Sequence, residues 1–186
     1  MEPMALQVER TAIDGVLMLT PARHEDERGV FSETYSAEGF AAAGIPCAFV
    51  QDNQSLSWQS STVRGLHYQS PPFAQAKLVR VAQGSIYDVA VDIRRASPTF
   101  GRYVGVVLSA ANGRQLFVPE GFAHGFCTTE DATLVLYKVS APYAPAHDRG
   151  ILWSDPALGI PWPVAPGTAI LSDKDRRHPK LAEIEA

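Results

Sequence analysis

Apolar residues recur at every second position over many short stretches of this chain, and each stretch is closed by glycine, proline, asparagine or serine. A period of two belongs to strands, whose successive side chains point to opposite faces. Over residues 86–93, Tyr87, Val89, Val91 and Ile93 share one face while Asp88 and Asp92 fall on the other. Residues 78–82 precede that stretch across Gln83-Gly84, which predicts a tight hairpin. Residues 103–109 and 114–118 flank Asn112-Gly113, a dipeptide suited to a turn with positive φ at both central residues. Another strand is predicted over 132–139, with Thr133, Val135, Tyr137 and Val139 on a shared face. Helical signals are scarce: 37–44 predicts one short helix with Gly44 near its C-terminal cap, and 173–178 predicts a turn.

Many short strands at roughly even spacing imply a sandwich, jelly roll or barrel. The 14 glycines and 14 prolines are spread along the whole length, which fits many turns better than one linker. There is no internal repeat, and 186 residues suffice for one hydrophobic core, so a single all-β domain is expected over residues 1–186. A net charge of -4 argues against a nucleic-acid partner, while a local basic pocket for a phosphate-bearing small molecule remains compatible with it. Cys47 and Cys127 have neither metal-like spacing nor the numbers for a disulfide framework, so they read as reduced core thiols. Met1-Glu2-Pro3-Met4 lacks the opening of a secretory signal, and no window reaches the roughly 20 apolar residues of a membrane helix. A cytoplasmic location without membrane partners is therefore expected.

The stretch with most chemistry is Arg64-Gly65-Leu66-His67-Tyr68-Gln69, followed ten residues after the histidine by Lys77. A base of near-neutral pKa together with a cation is what removal of a proton beside a carbonyl requires: one takes the proton, the other stabilises the enolate oxygen. His67 taken alone reads better as a hydrogen-bonded core histidine. Lys77 shares a face with Val79 and Val81, costly for a cation unless it meets an anion, though a strand-end lysine can also snorkel to water. Farther on, Gly113, five residues, then Pro119-x-Gly121-x-x-His124 has the spacing of the second cupin motif. Metal-binding cupins carry two histidines and a glutamate in the first motif. Here His67 takes the first histidine position, Gln69 stands at the second, and Lys77 replaces the glutamate. A charged ammonium does not ligate a metal, so no catalytic metal and no other cofactor is expected in a cupin-type jelly-roll barrel with a few short helices.

Taken in order, Asp26-Glu-Arg28-Gly-Val-Phe-Ser-Glu33, Phe49-Val-Gln51-Asp52-Asn53, Arg64-Gly-Leu-His67, Ala74-Gln-Ala-Lys77-Leu-Val-Arg-Val, Asp88-Val-Ala-Val-Asp-Ile-Arg, Ser97-Pro-Thr-Phe-Gly, Pro119-Glu-Gly-Phe-Ala-His124, Tyr137-Lys and Leu171-Ser-Asp-Lys174-Asp175 resemble the dTDP-4-dehydrorhamnose 3,5-epimerase family over nearly the whole chain. The resemblance implies a metal-free epimerase acting on dTDP-4-dehydro-6-deoxy-D-glucose. It implies His67 as base, Asp175 as its partner in preference to Asp173, Lys77 as the enolate cation and Tyr137 as the acid on the opposite face of the sugar. Without it, Tyr137 reads as a core tyrosine and Asp175 as part of a solvated charge run. Substrate binding is implied for Arg28, Glu33, Gln51, Asp52, Asn53, Arg64, Lys77, His124, Asp148 and Lys174, with Tyr143 stacking on thymine. A homodimer is implied, with the N-terminal region including Arg28 reaching the neighbouring subunit's site. A mono-epimerase, a metal-dependent cupin enzyme and a non-catalytic sugar-binding cupin stay open at the level of sequence.

Overall fold

The computed structural model describes residues 6–45, 47–165 and 167–184. Its strands are β1 (Leu6–Arg10), β2 (Leu17–Pro21), β3 (His24–Asp26), β4 (Gly29–Phe31), β5 (Gln51–Ser57), β6 (Val63–Gln69), β7 (Lys77–Gln83), β8 (Ser85–Asp92), β9 (Tyr103–Ser109), β10 (Gln115–Val118), β11 (Phe122–Thr128), β12 (Thr133–Val139) and β13 (Asp148–Gly150). They form a six-stranded sheet ordered β1-β2-β10-β7-β12-β5, a five-stranded sheet ordered β13-β6-β11-β8-β9, and the small β3-β4 ribbon. Every strand pairing is antiparallel. From β5 to β12 the chain crosses between the two large sheets at every connection except β8 to β9. That alternation is the jelly roll, in the cupin-type arrangement the motif spacing implied.

The expected strands at 103–109 and 132–139 are present, but neither expected hairpin is. Gln83-Gly84 and Asn112-Gly113 are corners between sheets: β7 lies in the six-stranded sheet and β8 in the five-stranded one, and β9 and β10 divide the same way. β7 is already paired on both edges by β10 and β12, and β8 by β11 and β9, so neither has an edge left for its sequence neighbour. A tight glycine turn serves a reversal within a sheet and a step between sheets alike. Only Gly113 of its pair takes positive φ (62°); the Asn112 side-chain oxygen instead accepts from Ser109 N and Arg114 N, at 3.1 and 2.9 Å.

Three apolar layers result. Val79, Val81, Ile86, Ala90, Leu116, Phe126 and Val135 fill the space between the sheets. Leu66, Val89, Val91 and Ala123, on the outer side of the five-stranded sheet, are covered by Ile151, Leu158, Leu181 and Ile184 from the C-terminal segment. Phe40 and Ile45 cover Leu19, Leu78 and Phe117 on the outer side of the other sheet. Phe40 belongs to the one α-helix among the described residues, α1 (Ala37–Ala42), where the Ser36 side chain accepts from Gly39 N at 3.2 Å and Gly44 follows the helix with φ 78°. β8 is thus buried on both faces, and its polar side is the barrel interior: Asp88 and Asp92 are both 0 % exposed. Cys127 is buried and Cys47 half-buried, both as free thiols. Among the described residues no helix is long and apolar enough to cross a membrane.

Candidate active site

Between the two sheets lies a cavity of about 530 Å³. β6 and β11 contribute Arg64, His67 and His124; β7 and β12 contribute Lys77 and Tyr137 from the facing sheet; Lys174 and Asp175 come from the C-terminal segment. A regular strand would send Arg64 and His67 to opposite faces, being three residues apart. Here His67 pairs with His124 and Arg64 with Phe126, so three steps on β6 span two on β11, and the bulge turns both side chains inward. Gly65 permits it. Its φ is 117°, and a Cβ there would stand 2.7 Å from both Gly125 Cα and the His124 carbonyl oxygen.

His67 Nε2 bonds Asp175 Oδ1 at 2.6 Å, joining groups 108 residues apart in the chain. Asp175 sits in a one-turn 3-10 helix, Asp175–Arg177, and is 4 % exposed although its charged neighbours face solvent. The bond favours the tautomer with its proton on Nε2 and its lone pair on Nδ1. Burial pushes the His67 pKa down, and Lys77 and His178 add to that, against the opposing pull of Asp175. Burial alone would raise Asp175, but the neighbouring His178 and the bonded His67 outweigh it and hold the carboxyl well below the usual range. His67 is therefore a neutral base and Asp175 an anion at neutral pH.

Lys77 and Tyr137 face the interior by strand register, since Val139 pairs with Lys77 and Tyr137 with Val79. Lys77 is buried; desolvation lowers its pKa to about 8, with Asp148 and Asp88 pulling the other way. Burial raises the Tyr137 pKa, opposed by Arg64, so the phenol keeps its proton. Beside them, His124 Nε2 meets Asp88 Oδ1 at 2.8 Å, with both side chains buried. Asp88 was quoted in the family string without a role. A buried aspartate on a strand's polar face cannot be distinguished from a surface one by periodicity.

The remaining implied binding residues divide into two groups. Outside the cavity's own lining but joined to it through Lys174, a chain of contacts begins at Gln51, which donates to Asn53 Oδ1 at 2.8 Å and accepts from Tyr143 N at 3.1 Å. The Tyr143 hydroxyl donates to Asp148 Oδ2 at 2.9 Å, and Lys174 bonds the same oxygen. Asp52, Arg28 and Glu33 are not brought to this cavity. Asp52 lies on the outer side of the six-stranded sheet, where Lys138 holds it at 2.8 Å. Arg28 pairs with Asp26 on the β3-β4 ribbon, its side chain 85 % exposed, and Glu33 is exposed just beyond it.

The cupin metal positions do not fit an ion. Gln69 spends its amide on Phe73 O at 2.7 Å, Pro142 O at 3.2 Å and Ala144 N at 2.8 Å, and Lys77 is a cation. His67, Asp175 and His178 do cluster within 4.8 Å. Ligands at ordinary zinc distances stand roughly 3.3 Å apart around a tetrahedral ion, whereas His67 and Asp175 are closed to a 2.6 Å hydrogen bond.

An interior holding an aspartate-tied imidazole, a buried ammonium and a phenol on the facing sheet defines an acid–base isomerase built on a cupin-type jelly roll. The family model for dTDP-4-dehydrorhamnose 3,5-epimerase matches residues 10–183. A dTDP-4-dehydrorhamnose 3,5-epimerase of Sinorhizobium fredii is 50% identical over 173 residues, covering 93% of this chain and 88% of that protein. The crystal structure of the Bacillus anthracis enzyme with TDP and PPi bound is similar with a TM-score of 0.92 at 50% identity, covering 95% of this chain and 99% of that one. A Legionella pneumophila dTDP-6-deoxy-D-glucose-3,5-epimerase in complex with dTDP-4-keto-L-rhamnose superposes with a TM-score of 0.93 at 43% identity, covering 97% and 95%. The chain belongs to the dTDP-4-dehydrorhamnose 3,5-epimerase family.

Proposed function

We propose that this protein inverts C3 and C5 of dTDP-4-dehydro-6-deoxy-D-glucose, giving dTDP-4-dehydro-L-rhamnose on the way to L-rhamnose. The observation that carries the reading is the placement of the His67–Asp175 pair and Tyr137 on facing sheets of one cavity, with Lys77 between the roles of base and acid. Both carbons adjoin the C4 ketone, so the same step serves each. His67 Nδ1 takes the proton from C5; the C–H electron pair moves into the enolate, placing negative charge on the C4 oxygen. The Lys77 ammonium stabilises that charge in a site where desolvation strengthens it. Tyr137 then delivers its hydroxyl proton to the opposite face, the ketone re-forms, and the carbon is inverted. His67 passes its proton to solvent, the phenolate regains one, and the cycle repeats at C3. Arg64 and His124 fit the sugar and diphosphate end, and Gln51, Asn53, Asp148 and Lys174 the nucleotide end, with Tyr143 placed for the thymine face.

Incubating the wild-type protein with substrate in D₂O tests the function. Proton NMR should show deuterium at both C3 and C5 of an inverted product. Label at one carbon only means a mono-epimerase, and binding without label means a sugar-binding module. Lys77 gives a pH prediction. Its cation is present well below pH 8 and is lost as pH rises through about 8, so kcat should fall on that limb. A profile flat to pH 9.5 would remove Lys77 from the enolate role.

A homodimer accounts for the residues left outside the cavity. β5 is an edge strand of the six-stranded sheet, and exposed Val50, Leu56 and Trp58 stand along it, with Val30 and Phe31 on the β3-β4 ribbon. An unpaired edge beside apolar side chains is a natural interface. In that arrangement Arg28 and Glu33 reach the neighbouring subunit's cavity. Light scattering should give twice the chain mass, and a mixture of Arg28→Ala and His67→Asn proteins should regain activity that neither has alone; a monomer at working concentration refutes the arrangement. The free thiols suit a reducing compartment, and we assign the reaction to the cytoplasm, which cell fractionation checks.

A further inference from the structure

Asp175 has a second histidine beside it. His178 follows it by three residues, the spacing at which side chains of a 3-10 turn eclipse one another. The His178 side chain is 8 % exposed, and its Nε2 lies 3.4 Å from Asp175 Oδ1, the oxygen that His67 already bonds. That Nε2 is buried and makes no hydrogen bond among the described residues, so the 3.4 Å approach to Asp175 is its nearest charged contact. The two imidazoles stand edge to face, with centroids 5.5 Å apart. The slot for the ring exists because position 150 is glycine: a Cβ there would come within 2.4 Å of the His178 ring. Gly150 is also the register partner of His67, so base and second histidine are set by the same pair of strands. The Pro179 carbonyl accepts from Leu152 N at 2.8 Å and pins the chain just beyond the ring.

We propose that His178 is a positioning residue for the epimerisation, holding the Asp175 carboxylate toward His67 and drawing off part of its charge. The proposal rests on the reading of His67 as the base. A carboxylate bonded from one side can rotate; an imidazole on each side leaves one useful rotamer, and geometric precision of this kind matters steeply to proton transfer. Sharing Asp175 also keeps His67 from holding its proton too firmly, in line with the downward influence of His178 on the His67 pKa. The other charged or titratable groups around His67 are Lys77, Asp148, His124 and Arg64.

The test compares His178→Gln, whose amide nitrogen reaches the position of Nε2, with His178→Asn, whose amide is too short, and His178→Leu, which fills the slot without a donor. The asparagine and leucine proteins should lose kcat roughly 10- to 100-fold with KM within about twofold, and glutamine should restore most of it. Without His178, Asp175 serves His67 alone and the His67 pKa rises. The base is then protonated to higher pH, and the acid limb of kcat moves upward. ¹⁵N-imidazole NMR of ligand-free protein reads the same His67 shift without turnover, so it stands even if the epimerase reading fails. An unmoved His67 titration in the asparagine and leucine proteins overturns the proposal, as does a kcat loss that glutamine fails to rescue.

Discussion

His67→Asn should lower kcat by about 10²–10⁴-fold, the usual worth of a positioned acid–base group, and should abolish deuterium entry at C3 and C5 together. Asparagine's amide stops short of the Nε2 position that Asp175 bonds, and it has no nitrogen able to take a proton near neutral pH. KM should change little, because the groups proposed to hold the nucleotide, Gln51, Asn53, Tyr143 and Asp148, make their side-chain bonds without His67. The fold should tolerate the change: the His67 side chain is 33% exposed and makes one side-chain hydrogen bond, to Asp175. A melting temperature within a few degrees of wild type therefore separates lost chemistry from lost structure. Because both carbons depend on one base, the two exchanges must fail in parallel. Exchange surviving at C3 but not C5 would mean that a second base, with the His124–Asp88 pair the nearest candidate, serves one of them.

The period of two located β7, β8, β9, β10 and β12, and Gly44 marked the end of the helix, because side-chain alternation and caps are local properties. Sheet partnership is not local. The segments joined by Gln83-Gly84 and Asn112-Gly113 carry turn chemistry that also suits a corner, and only the occupied edges of β7 and β8 at the first and of β10 at the second decide between the two. The same limit applies to the site. His67, Lys77 and Tyr137 were legible as unusual residues on apolar strands, whereas Asp175 lies in a run of charges and was found by family likeness alone. His178 looked like the end of a turn; the one local hint was its spacing of three from Asp175 in a segment already read as a tight turn. Asp88 was hidden by its own regularity, as an acid at alternate positions usually marks the solvent face, and here that face is the barrel interior. A strict alternation along β6 would part Arg64 from His67, and the bulge at Gly65 that brings both inward has no periodic signature.

Tyr137→Phe separates the two halves of the reaction. The Tyr137 ring packs against the interior cluster that includes Val79 and Val135, so phenylalanine keeps the packing and removes only the hydroxyl. Proton abstraction needs His67, Asp175 and Lys77, all unchanged, and the enolate still forms. What is lost is the donor on the far side. Inversion at both carbons should then fall by about 10²–10⁴-fold, while exchange with solvent falls far less. His67 is partly exposed, so once it holds the substrate's proton it can trade it for deuterium and return that to the same face. The main product in D₂O becomes starting material labelled at C3 and C5 with its configuration retained, distinguishable by NMR from labelled, inverted sugar. Full inversion in Tyr137→Phe would place the acid elsewhere, and equal loss of exchange and inversion would place the phenol in the abstraction step instead.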